Sequence, residues 1–196
     1  MKISPITHSL PTSQETRTTR LLLCAAFVSL LPSCGDSPKT CFDRAVLNCN
    51  LIHGFAGKGM ERQLESPSVK LTGAQPGETA PMTRKEMVDD KIAFVEQSLA
   101  KVRQLRQTDD NRDIVLASIA LHEYVLPVYR DDYQRLAKLY DDGAPPAEIA
   151  QLASVIATKH RAPYQALSDR LTTAGKAYAS RHDIKVMWDV RTSPSQ

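Results

Sequence analysis

The chain has 196 residues, 42% of them hydrophobic, with 25 Lys and Arg against 22 Asp and Glu and a formal net charge of +3. That length is one domain's worth, with enough apolar side chains for a real core. The basic residues form no block on one stretch or face, so no nucleic-acid partner is expected.

In chain order, the first organised stretch is Leu21 to Leu31, an apolar run of 11 residues without a charge, with Lys2, Arg17 and Arg20 on its N-terminal side. A positive region followed by a short apolar core is the pattern of a secretory signal. As a helix the run rises only about 16 Å, too little for a hydrocarbon layer of about 30 Å.

The run ends Leu31-Pro32-Ser33-Cys34, followed by Gly35 and Asp36. Here the sequence resembles the lipobox of bacterial lipoproteins, with Leu31 at −3, Ser33 at −1 and Cys34 as the modified residue. The resemblance implies a signal peptide over 1–33, cleavage before Cys34, a diacylglycerol thioether on that sulfur and usually a third acyl chain, such as palmitate, on the new amino terminus. Several chains anchor a protein stably where one does not. Gly35 at +2, in place of the inner-membrane retention signal Asp, implies the outer membrane, facing the periplasm. The alternative is an ordinary secretory signal cut near Ser33, with Cys34 left as a thiol. Removing 1–33 leaves 163 residues with a net charge near +1.

Cys41 and Cys49 remain as a pair in an oxidising compartment, where pairing is the default. Eight residues of straight helix would separate them by about 12 Å, beyond the roughly 7 Å a bridge tolerates. Either the stretch is not one helix or the thiols are free; a small disulfide loop beside the anchor is the expectation. Asp43 to Ile52 suits a short helix, ended by Gly54, Gly57 and Gly59. Pro67, Gly73, Pro76, Gly77 and Pro81 then mark a linker, within which Val69 to Thr72 alternates like a short strand. The segment 34–82 is thus expected to be an anchored piece and linker ahead of a helical domain at 83–196.

Thr83-Arg84-Lys85-Glu86 is a capping box opening a helix over about 83–106, with Val88, Ile92, Val95, Leu99 and Val102 as its seam. A second helix, about 111–141, carries Ile114, Ala117, Leu121, Tyr124 and Val128 on one stripe. Beyond Pro127 the stripe continues as Tyr129, Tyr133, Leu136 and Tyr140, one residue out of phase, which predicts a bend at the proline. Gly143 ends this helix and Pro145-Pro146 opens a third, about 146–181, with Pro163 inside it. Ile184 to Val190 is rich in β-formers and predicts a C-terminal strand pairing with Val69 to Thr72. The fold expected is mostly α, an antiparallel bundle of three long helices, two with mid-helix proline bends, plus a small two-stranded β element.

Chemistry-bearing patterns are sparse. Asp109, Asn111 and Asp113 have the opening spacing of a calcium loop, but its sixth and twelfth positions are Ile114 and Ala120, so the stretch reads as a polar helix start. His122, His160 and His182, with Glu123, are the only set to probe for metal; no Glu-x-x-His or His-Glu-x-x-His pattern supports it, and no cofactor is expected. No nucleophile motif occurs and catalysis is not expected. All six tyrosines lie in the second and third helices. They read either as bundle packing or as an exposed interface in which Tyr124, Tyr129, Arg130, Tyr133 and Tyr140 meet another protein, since Tyr and Arg are enriched at interfaces. The function expected is a non-catalytic, lipid-anchored periplasmic binding or scaffold protein, toxin-neutralising immunity proteins being one such class. The alternative is a helical bundle that binds a metal or small ligand.

Overall fold

The structure, a computed structural model, describes residues 36–66, 68–73 and 77–188, all within one compact unit. Cys34 and the expected signal peptide lie outside the described residues. The fold is mostly helical with one small antiparallel sheet, and no helix among the described residues is long and apolar enough to cross a membrane.

The chain enters through α1, Pro38–Ala45, earlier than the sequence predicts. Ser37 accepts from the Thr40 N–H at 3.1 Å and Pro38 takes a first-turn position where its missing N–H is harmless. A 3-10 turn, Leu47–Ile52, follows, then a tight loop and α2, Lys58–Glu65. In that loop Gly54 has φ +84°, and a Cβ there would stand 2.9 Å from the Gly59 Cα, so loop and helix start touch backbone to backbone. This segment joins the main body of the domain. Phe42, Ile52, Phe55, Met60 and Leu64 are all buried in the main core.

β1, Val69–Leu71, pairs antiparallel with β2, Thr79–Pro81, in the register Val69 to Pro81 and Leu71 to Thr79. The predicted C-terminal partner is therefore wrong. Closing a hairpin over a few residues costs less chain entropy than joining segments more than a hundred residues apart. Ile184 to Trp188 instead runs without strand pairing, and Trp188 sets its edge against Phe42 of α1 at 6.0 Å.

α3, Arg84–Arg103, begins at the predicted capping box, with Thr83 and Glu86 bonding reciprocally at 3.1 and 3.0 Å. A second cap comes from far along the chain: the Asp141 carboxylate accepts from the Arg84 and Lys85 N–H groups, both at 2.9 Å. A carboxylate there also complements the positive end of the helix. Along α3 the partners then run backwards, Asp89 to Gln134, Glu96 to Arg130 and Arg103 to Glu123, which makes the pairing antiparallel.

α4, Arg112–Val128, passes into a π-helical turn, Tyr129–Tyr133, and continues as α5, Gln134–Asp141. The predicted bend at Pro127 is here a widened turn. A π turn takes one residue more than an α turn, so it absorbs the one-residue slip between the apolar stripes. Val125 and Val128 on one side and Tyr129, Tyr133 and Leu136 on the other all stay buried.

Gly143, with φ +70°, ends α5, and α6 runs unbroken from Pro146 to Arg181 through Pro163. It packs on α4 and α5. The core is one cluster in which every element except the sheet takes part.

Candidate functional site

Phe55, in the loop before α2, stands in a ring of aromatic side chains. Its centroid lies 5.1 Å from Tyr164, 5.3 Å from Tyr129, 5.6 Å from Tyr133 and 6.4 Å from Tyr124. Two hydroxyls fasten the loop. Tyr133 accepts from the Ala56 N–H at 2.9 Å, and Tyr164 donates to the Ile52 carbonyl at 3.0 Å. Arg161 of α6 donates to the Ala56 carbonyl. Burial pushes the Tyr129 and Tyr133 phenols well above their ordinary range, so both stay protonated.

Beside this ring lies a chain of three titratable groups. His160 of α6 has Nδ1 2.9 Å from the Tyr124 hydroxyl and Nε2 3.0 Å from Asp132, which sits in the π turn. With Asp132 ionised, Nε2–H donates to the carboxylate and Nδ1 accepts from the tyrosine. The arrangement orients a hydroxyl toward a base, as acyl-transfer sites do. Here, however, none of the three residues lines either of the two main hollows. The set ties α4, the π turn and α6 together.

His122 is fully buried on the other face of α4. Its Nδ1 donates to the Ser118 carbonyl at 2.8 Å, and Nε2 is the one buried side-chain polar atom without a partner among the described residues. Cys49 lies 3.9 Å from Nδ1, while its thiol donates to the Ala45 carbonyl. Burial pushes the thiol up to about 12 and lowers the imidazole pKa. A protonated thiol facing a ring N–H that is already donating is no nucleophile–base pair.

The expected disulfide is absent: Cys41 and Cys49 are free. Cys41 accepts from Asn111 at 3.4 Å, whereas Cys49 turns toward Ser118, because the break between α1 and the 3-10 turn sends the two sulfurs to different parts of the core. Asn111 closes the loop before α4, taking the Thr108 N–H at 2.8 Å and donating to the Arg106 carbonyl at 2.9 Å. That accounts for the polar spacing around it.

The three histidines do not converge. His122 is inside, His160 serves Asp132 and Tyr124, and His182 bonds Asp110 at 2.7 Å. Among the described residues no group of three or more His, Cys, Asp or Glu is placed to hold a metal. The interface expectation also needs correcting. Tyr129 and Tyr133, at 1% and 3% exposure, are core, because the π turn rotates both inward onto Phe55. Tyr124 is half-buried, and Arg130 is exposed but engaged with Glu96 at 2.5 Å. Only Tyr140 borders an open hollow.

That hollow is a groove of about 1020 Å³ between α2 and the first half of α6. Ile149, Ala150, Ala153 and Ala157 form its floor, and Lys58, Glu61, Glu65, Tyr140 and Arg161 its rim. Arg84 lays its guanidinium over Tyr140 at 5.8 Å, which fixes that wall. Only Ile156 is fully buried in the first three turns of α6, so this stretch offers side-chain surface that the domain itself does not cover. A second hollow, about 710 Å³, lies between the 3-10 turn, α6 and Trp188. A groove made by α2 and α6, 88 residues apart from start to start in the sequence (Lys58 and Pro146 being separated by the whole of α3 to α5), has no local signature. Compared with protein-family models, curated proteins and solved structures, the chain matches none.

Proposed function

We propose that this chain is a lipid-anchored binding protein: acyl chains on Cys34 hold it in a bacterial outer membrane on the periplasmic side, and its groove receives a segment of another protein. The working body is a bundle of three long helices, α3, α4 through the π turn into α5, and α6, buttressed by α1 and α2. One observation above all supports this reading, the uncovered groove of about 1020 Å³ between α2 and α6. Its lining from Pro146 to Gln165 extends about 29 Å along α6.

The occupant that suits it is an amphipathic helix. Alanines at 150, 153 and 157 let a partner backbone come close, and a rim carrying both charges, Lys58 and Arg161 with Glu61 and Glu65, selects a partner with charges flanking an apolar stripe. Neither titratable set described above lines this groove, which favours binding over chemistry as its task. The test is capture from native membranes by the acylated protein, beside an Ala150→Trp variant that fills the groove from an exposed position. A stoichiometric partner taken by the wild type and lost by a variant of unchanged melting temperature supports the reading. Equal capture by both sinks it.

A further inference from the structure

The described residues begin two positions after the proposed anchor, and they are folded from the start. Asp36 accepts from Arg44 at 3.2 Å, Ser37 caps α1, and Cys41, Phe42 and Ala45 are already in the core. Two peptide units separate Cys34 from Asp36 and span at most about 7 Å. A lipoprotein domain on a long flexible tether can turn any face to the bilayer; one held on two residues cannot.

We infer that the phospholipid bilayer holding the Cys34 acyl chains is itself a partner of one defined end of the domain, the end where α1 begins; this rests on the lipoprotein reading above. That end is assembled from three parts of the chain. Asn111 links the Arg106–Asn111 loop to Cys41, Phe42 stacks on Tyr178 at 6.4 Å, and Arg181 and His182 close onto Asp110. Exposed charges here are mixed, Arg106 and Lys185 against Asp113 and Asp183, so the contact is set by the tether and needs no anionic lipid. The far end is α6's start at Pro146, about 52 Å away along a helix of 36 residues. The groove between α2 and α6 therefore opens toward partners standing off the membrane.

The experiment uses the full acylated protein in phosphatidylcholine vesicles carrying a headgroup nitroxide. A fluorophore is placed at Gln107→Cys, in the exposed loop at the near end, or at Glu148→Cys, in the first turn of α6. Cys41 is buried and Cys49 half-buried, so protein without the added cysteine is carried through the labelling as the blank. The near-end probe is expected to be quenched several-fold more than the far-end one, with the same ratio when phosphatidylglycerol is added. Inserting ten Gly/Ser residues between Gly35 and Asp36, a tether of about 18 Å root-mean-square reach, is expected to erase the difference. Equal quenching of both probes while the protein floats with the vesicles overturns the inference alone. Absence of acyl mass on Cys34, with no flotation, overturns the lipoprotein reading and the inference with it.

Discussion

The Phe55 loop gives the sharpest energetic test. Tyr133→Phe removes a single oxygen from a side chain that is 3% exposed, and that oxygen is the acceptor for the Ala56 N–H at 2.9 Å. Ala56 has φ +51° and is buried, so its N–H cannot swing out to water without unmaking the loop. A buried donor left unmade costs about 1–3 kcal/mol, and the phenyl ring that remains keeps the contacts with Phe55 and Tyr129. The expected loss is therefore about 2 kcal/mol, or about 4–8 °C in melting temperature for a domain of this size. Urea and thermal unfolding followed by circular dichroism measure both. Tyr140→Phe is the matched control, at a half-buried ring of the groove wall, and is expected to stay within about 0.5 kcal/mol of wild type. Equal stability of the two variants would show that the Ala56 turn is not fastened to the bundle, and the account of the N-terminal segment as core would fail.

Three further outcomes are expected. His122 has a folded pKa below the unfolded value of 6.5, so its stability contribution is complete above about pH 6.5 and is lost as pH falls below it, by at most about 1.4 kcal/mol per pH unit; His122→Gln should flatten stability between pH 6.5 and 5, and an unchanged slope would contradict the burial assigned to it. Folded protein treated with iodoacetamide at pH 8 should leave the Cys41 and Cys49 peptides unmodified until denaturant is added, and non-reducing peptide mapping should find no bridge between them. Tyr124→Phe and Asp132→Ala should each cost about 1–3 kcal/mol and be non-additive, because both act on the same imidazole; strict additivity in a double-mutant cycle would mean that His160 does not join them.

Features set by local chemistry were legible in the sequence. The Thr83 capping box opens α3 where four residues say it must, and Gly143 with Pro145-Pro146 divides α5 from α6. The phase slip beyond Pro127 marked the site of the π turn, although a bend was expected and a widened turn is found. Features set by long-range contact were not legible. The hairpin went to the nearer strand, the cysteines followed a break between helices, and the tyrosines could be sorted into core and rim only once the π turn had fixed which way Tyr129 and Tyr133 face. His160 finds Asp132 28 residues back and Tyr124 36 back, separations that carry no motif. The groove carries no signature for the same reason: α2 begins where Gly54, Gly57 and Gly59 signal the end of a helix rather than the start of one.

The most direct measurement is photo-crosslinking in native membranes, with a benzophenone amino acid at Ala150 in the groove or at Lys101 on the exposed side of α3, in the acylated protein. The account predicts one discrete adduct from Ala150, none from Lys101, and loss of that adduct when Cys34→Ser removes the anchor. A ladder of adducts from both positions, or none from Ala150 while the protein stays membrane-bound, would contradict it.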